Sequence, residues 1–552
     1  MRNGQRIAVI GGVCAAVVSV VGFGAFSLLG GDGAGDGTGS VANAADGEPG
    51  DAEPTVETGP PTAEEVLETS GAFLTAWADG DVATAAGLTD DPDAARAVLE
   101  ALPTGAAVDA LTLAPGTPEG ADVPFGVEAV IAYEEEDPAE LAYDSELTVV
   151  RDTETGEAVV DWEPTVVHPG LTEGGTIETG PVSELPPVEV LDKNGAELTA
   201  EEFPGLAPVL TELRERYGEQ AGGSTGAEVR LVDAEGATVT QLVELSEPSA
   251  GQVPTTIDPA LQRAAEAAVA DSERASVVAV QPSTGAIQAI ANAPADGFDI
   301  ALEGSYAPGS TFKIVTASLL IDRGLASANE AHPCPKYFEH GGWRFQNLDE
   351  FEIENGTFAD SFAASCNTAF ISQAPELADD DLGNHARDVF GLGLDWQVGA
   401  TSMDGAVPTQ SDAQMAASLI GQGGVRMNPL TMASVSATVK NGSFLQPYLV
   451  PADFDDRQLA QAPGSLSAEA AAELRGLMNR TALSGTAAAA MSGIGGDIGA
   501  KTGSAEVDGQ EKPNAWFTAY RNDLAVAAVV PDSGHGGEFA GPIVAEVLRA
   551  AP

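Results

Sequence analysis

Ser310-Thr311-Phe312-Lys313 sets a hydroxyl and an amine three residues apart, the interval at which two side chains leave a helix on the same face. A serine hydroxyl is a weak nucleophile near neutrality. A lysine stripped of water in a closed pocket can lose its proton and act as the base that activates it. Pro308-Gly309 breaks the chain immediately before Ser310, and residues 314–324 continue as an apolar helical stretch. The spacing therefore predicts Ser310 in the first helical turn, where free N–H groups favour developing negative charge. Alone, Ser310 reads more simply as a helix cap and Lys313 as a solvent-facing residue.

Two later sets change that reading. Ser365-Cys366-Asn367 offers a hydroxyl to relay a proton and an amide to hold a substrate peptide group, both facing a cleft if the triplet is extended. Lys501-Thr502-Gly503-Ser504 is strand-like: a cation and two hydroxyls suit a substrate carboxylate, and Gly503 allows close backbone approach. The backbone N–H groups of Ser310 and Ser504 form the expected oxyanion hole. Only six lysines occur in 552 residues, Lys313 and Lys501 among them, and a chance Lys-Thr-Gly is expected roughly 0.05 times. The three sets read as one acyl-transfer site. His168, His332, His340, His385 and His535 show neither metal-ligand spacing nor a place in a Ser-His-Asp arrangement, which leaves lysine as the base and no metal or cofactor to assign.

The elements that must position this chemistry fall into a multidomain α+β pattern. Residues 7–29 are an uncharged run of about 23 residues behind Arg2 and Arg6, long enough to span a bilayer and oriented with the rest of the chain outside. An uncleaved anchor (1–30) is expected, in preference to a signal peptide cut near Ala42-Asn43-Ala44. Residues 31–61, rich in Gly, Asp, Glu, Thr and Pro, read as a disordered tether. Thr62 with Glu65 makes a capping box that opens an α+β domain (62–171) of three helices followed by strands, with Trp77 and Trp162 in its core. Residues 172–254 read as a β-rich connector with two hairpins, turning at Asn194-Gly195 and Glu235-Gly236. Gly222-Gly223-Ser224-Thr225-Gly226 matches a nucleophile elbow by letter but lies in a Gly-rich loop. Residues 255–552 open with a helix capped by Asp258-Pro259, then a hairpin, and are expected to form an antiparallel sheet flanked by helices.

With 84 acidic against 24 basic residues, the net charge of −60 excludes a nucleic-acid partner. Cys14, Cys334 and Cys366 are too few for a disulfide scaffold or a Cys-rich zinc site. Cys366 is more simply a small buried residue than half of a Cys334–Cys366 bridge.

Residues from about 255 onward resemble the penicillin-binding transpeptidase domain through Ala307-Pro308-Gly309-Ser310-Thr311-Phe312-Lys313, Ser365-Cys366-Asn367-Thr368-Ala369-Phe370 and Lys501-Thr502-Gly503-Ser504-Ala505-Glu506. Residues 62–171, ending in Asp161-Trp162 and His168-Pro169, resemble the nuclear-transport-factor-like N-terminal domain of methicillin-resistance-type proteins. The resemblance implies a class B D,D-transpeptidase that cross-links peptidoglycan stem peptides and binds β-lactams covalently. Ser310 would be the acylated nucleophile, Lys313 the base and Ser365 the proton shuttle; Asn367, Lys501, Thr502, Gly503 and Ser504 would hold substrate. The implied partners are stem peptides, β-lactams, the cytoplasmic membrane and other cell-wall synthesis or division proteins. The chain departs from the family pattern at Val190-Leu191-Asp192-Lys193-Asn194-Gly195, which lacks an Arg-rich entry, and at Lys512-Pro513-Asn514. The alternatives are a serine β-lactamase, for which no Glu-x-x-Leu-Asn segment supplies a hydrolytic base, and a non-catalytic β-lactam sensor or division scaffold.

Overall fold

The computed structural model describes residues 58–551 apart from Glu135 and Ser183. The expected membrane anchor and the tether up to residue 57 lie outside the described residues, among which no helix is long and apolar enough to cross a membrane.

Thr62 caps the helix Ala63–Ala78 through a reciprocal capping box with Glu65, and the helix buries Val66, Phe73, Leu74 and Trp77. Helices Val82–Gly87 and Pro92–Gly105 follow. An antiparallel sheet then runs in order β1 (Val108–Pro115), β2 (Asp122–Ile131), β3 (Ala139–Arg151) and β4 (Ala158–Val160). Trp77 packs edge-on to Phe125, and Trp162 edge-on to Phe73, so both tryptophans serve the core.

The connector differs from the two-hairpin expectation. A three-stranded sheet joins β5 (Thr176–Pro181) to β7 (Ala227–Val232) and β8 (Thr238–Ser246), turning at Glu235-Gly236 as the sequence predicts. The other predicted hairpin is reduced to one antiparallel bridge, Leu191 with Glu197, closing the turn at Asn194-Gly195. β6 (Glu189–Leu191) pairs in parallel with β9 (Gln252–Pro254), and only a tight turn stabilised by Asp192 follows it. Between them lies the helix Ala207–Tyr217, which buries Val209, Leu210, Leu213 and Tyr217. These positions carry a helical period, with Pro208 in the first turn where its missing N–H costs nothing. Ser224 pairs with Ser249 in a loop bridge, not in a strand-to-helix elbow.

The last region is built on a five-stranded antiparallel sheet in order β11 (Ile287–Ala293), β10 (Ala275–Val280), β16 (Leu524–Val530), β15 (Asn514–Arg521), β14 (Ile498–Ala505). Both its faces are covered, and its inner strands β10 and β16 are almost entirely apolar. Alternate residues Val277, Ala279, Phe517, Val526 and Ala528 pack on the helices Pro259–Val269 and Gly536–Ala550. Val278, Val280, Trp516, Tyr520 and Val529 pack on the other side, where the helices Lys313–Asp322, Pro429–Asn441 and Ala468–Ser484 lie. A small hairpin, β12 (Tyr337–His340) with β13 (Trp343–Gln346), stands beside the Ser365 loop.

Cys334 and Cys366 correct the expectation of a free buried thiol: they form a disulfide, with S–S 2.22 Å and Cα atoms 6.1 Å apart. Sequence spacing gives no hint of it, because pairing of Cys334 with Ile353 across a backbone bridge and the Asn347 contacts described below bring the two residues together.

Candidate active site

Ser310 stands in a 3-10 turn, Gly309–Phe312, that feeds directly into the helix Lys313–Asp322. The expected first α-helical turn is thus tighter than predicted. Gly309 adopts φ +54°, donates to Gly421 O at 3.0 Å, and has no room for a Cβ, which would sit 2.7 Å from Ser504 O. A Cβ on Gly503 would likewise lie 2.8 Å from Pro308 O. These two glycines bring the edge strand β14 against the turn that carries Ser310.

Lys313 is fully buried and its Nζ lies 3.0 Å from Ser310 Oγ, 2.7 Å from Ser365 O and 2.7 Å from Asn367 Oδ1. Asn367 Nδ2 donates to Gln346 O at 3.1 Å, which fixes the amide with its oxygen towards the lysine. Burial first, and the Lys501 charge second, hold the Lys313 amine well below its ordinary value. A neutral amine has two N–H groups and one lone pair. The carbonyl of Ser365 and the amide oxygen of Asn367 can only accept, so they take the two N–H groups. The lone pair is left for Ser310, the one partner with a proton to give.

Lys501 is the second fully buried lysine, and burial pushes it down to about 7. Its Nζ donates to Ser365 Oγ at 2.9 Å and to Thr502 O at 2.9 Å. Ser365 reaches both lysines because it adopts φ +60°, not because the triplet is extended; Asn367 then enters the short helix Thr368–Ile371. A left-handed serine is a strained conformation that persists only where its surroundings fix it. Thr502 Oγ1 lies 2.6 Å from Thr486 Oγ1. Ser310, Ser365, Asn367, Thr502, Gly503 and Ser504 line one cleft of about 510 Å³, while both lysines lie beneath its floor.

Two participants have no sequence signal. Thr486 sits in a loop ahead of β14 and is brought to Thr502 only by the fold. Asn347 is 1% exposed; its Oδ1 accepts from Asn367 N at 2.8 Å and Thr368 N at 3.1 Å, and its Nδ2 donates to Pro335 O and Phe351 O. Asn347→Ala would strand these groups in the interior, at a cost on the order of 3 kcal/mol, and free the Ser365-Cys366-Asn367 segment. The expected outcome is a lower melting temperature together with roughly tenfold or greater loss of acylation rate, read by thermal melts and stopped-flow labelling with a fluorescent penicillin.

Residues 275–549 match the model of the penicillin binding protein transpeptidase domain, and residues 63–175 match that of the NTF2-like N-terminal transpeptidase domain. The chain is 30% identical over 364 residues to the peptidoglycan D,D-transpeptidase PbpA of Mycolicibacterium smegmatis, covering 55% of this chain and 73% of the relative. It is 28% identical over 367 residues to PbpA of Mycobacterium tuberculosis, with the same coverages of 55% and 73%. Among solved structures, the D,D-transpeptidase domain of a peptidoglycan glycosyltransferase from Eggerthella lenta aligns with a TM-score of 0.51 at 21% identity, covering 67% of this chain and 98% of that one, a likeness of fold. With two family models matched in tandem and most of the M. smegmatis relative covered, the chain belongs to the penicillin-binding protein family of peptidoglycan D,D-transpeptidases.

Proposed function

We propose that the chain is a peptidoglycan D,D-transpeptidase whose nucleophile is Ser310. The observation that carries this reading is the hydrogen-bonded series Ser310, Lys313, Ser365, Lys501 at the base of one cleft, with both amines stripped of water. Lys313 takes the Ser310 proton as Oγ attacks the carbonyl of the penultimate D-Ala of a stem peptide. The N–H groups of Ser310 and Ser504 receive the oxyanion, and Thr502 and Ser504 hold the terminal carboxylate over the Lys501 charge beneath the cleft floor. Ser365 already accepts from Lys501, so its own proton is free to pass to the departing D-Ala amine, and the proton that Lys313 took from Ser310 replaces it. Asn367 orients both Lys313 and the peptide amide. A second amine then attacks the acyl carbonyl, the Ser310 ester bond breaks, and a cross-link is left. A β-lactam enters the same path and stays on Ser310 because its leaving amine remains tethered.

Arg2 and Arg6 ahead of the uncharged run at residues 7–29 support a single-pass anchor in the cytoplasmic membrane, with the catalytic region outside and other cell-wall synthesis proteins as neighbours. The test of the function is incubation of the full chain with a stem pentapeptide. The expected products are free D-Ala and a cross-linked dimer, alongside a penicillin adduct that persists. Rapid loss of the adduct to water without cross-links would make the chain a β-lactamase, and absence of both adduct and products would make it a scaffold.

A further inference from the structure

Cross-linking needs two peptides, and the cleft over Ser310 accommodates the donor. Beyond it a second groove of about 690 Å³ shares Phe351, Ala364 and Thr486 with the cleft, so the two adjoin along these residues. Their junction is specific. Ala364 directly precedes Ser365, and Thr486 Oγ1 is 2.6 Å from Thr502 Oγ1, so the groove opens between the proton relay and the carboxylate-binding strand. By microscopic reversibility the incoming amine must enter where the D-Ala amine left, and this is that place.

From the junction the groove passes Gly485 and Ser484 to Arg480. Asp360 takes one end of the Arg480 guanidinium through Oδ1, while its Oδ2 accepts from Thr357 N and Thr357 Oγ1 at 2.8 Å. The arginine is thereby fixed in direction but 46% exposed at the groove wall, with a five-donor fork only part of which Asp360 can use. In a chain with 84 acidic and 24 basic residues, a held cation beside the reaction centre is a distinctive feature.

We infer that this groove binds the acceptor stem peptide and that Arg480 recognises a carboxylate on it. The inference rests on the D,D-transpeptidase reading. In the step concerned, the acceptor nitrogen forms a C–N bond to the acyl carbonyl carbon. Ser365 Oγ takes the ammonium proton while its own proton passes to Lys313, and the Ser310 Oγ–C bond breaks as Lys313 hands that proton to Oγ, leaving both relay groups as they began.

The test compares the full chain with Arg480→Gln, Arg480→Lys and Ser484→Trp, the last filling the groove. The donor is a stem pentapeptide. Acceptors are a stem tetrapeptide with free side-chain amine and free carboxylates, and the same peptide with its carboxylates amidated. Expected for R480Q and S484W is a rise of about tenfold or more in the KM for the free-carboxylate acceptor, the scale of a lost charge-assisted contact, with penicillin acylation of Ser310 unchanged. R480K retains most of the affinity, and the amidated acceptor is weak and indifferent to Arg480. Unchanged acceptor KM in both R480Q and S484W overturns the inference. Should R480Q lose acylation through misfolding, S484W and the wild-type ratio between the two acceptors decide, equal use of both acceptors counting against it. Failure of penicillin to acylate the wild type would sink the transpeptidase reading itself.

Discussion

Ser310→Ala is expected to abolish covalent penicillin labelling and to lower cross-link formation by at least about 10⁴-fold, the scale on which loss of a serine nucleophile is felt elsewhere. Stability should change little. Ser310 is only part-buried, and Lys313 keeps Ser365 O and Asn367 Oδ1 as partners when the hydroxyl is gone. The combination distinguishes a lost nucleophile from a collapsed site: an unlabelled protein whose melting temperature is within a few degrees of the wild type. Labelling of Ser310→Ala at the wild-type rate would remove Ser310 from the mechanism.

The lysine pair carries the second large effect. Lys313→Met is expected to lower the acylation rate by about 10²–10⁴-fold, the usual span of a positioned base. Lys313→Arg should do no better, because an arginine keeps the charge but does not release its proton, which separates a base from a mere cation. The pH profile follows from the directions of the two shifts. Lys313 must be neutral to accept the Ser310 proton, so acylation falls as pH drops through its depressed value. Lys501 must be charged to hold the carboxylate, so kcat/KM falls again as pH rises above about 7 in the free enzyme. The profile of kcat/KM is therefore bell-shaped, whereas the upper limb of kcat moves to higher pH because a bound carboxylate favours the charged lysine. Stopped-flow acylation from pH 5 to 10 checks this, and a flat profile in kcat/KM would exclude the paired-lysine scheme. Stability has its own sign. Between pH 7 and the ordinary lysine range the unfolded chain holds a Lys501 proton that the folded chain has released, so stability from this group rises with pH across that window and is constant below it.

How much of this was legible depends on whether a residue's role is local. The Ser310 and Lys313 spacing, the capping boxes and the apolar alternation of the central strands are set within a few residues, and the sequence predicts them. Thr502, Gly503 and Ser504 were legible only because lysine is so rare that Lys501 marks its strand. Asn347, Thr486 and Arg480 act through contacts 16 to 120 residues away, and nothing in their neighbours announces it; Asn347, for example, directly follows β13 and meets Asn367, 20 residues on. The Ser365 loop shows the same limit, because its orientation comes from a left-handed serine clasped by two lysines and not from any pattern of letters. The helix Ala207–Tyr217 is a different case: its period was readable, and the Gly and Pro residues flanking it obscured it.

The order of strands in the central sheet has a consequence for when chemistry becomes available. β10 pairs with β16 across some 250 residues, as in Ser276 with Val529, and β14, which carries Lys501, is attached to β10 only through β15 and β16. Loop closure over such a distance is the slow part of folding, so the nucleophile helix can form early while its carboxylate-binding wall waits for the last strands. The cleft is thus complete only once β14, β15 and β16 have docked against β10. A nascent or shortened chain presents the serine and its base without the wall that gives them a substrate.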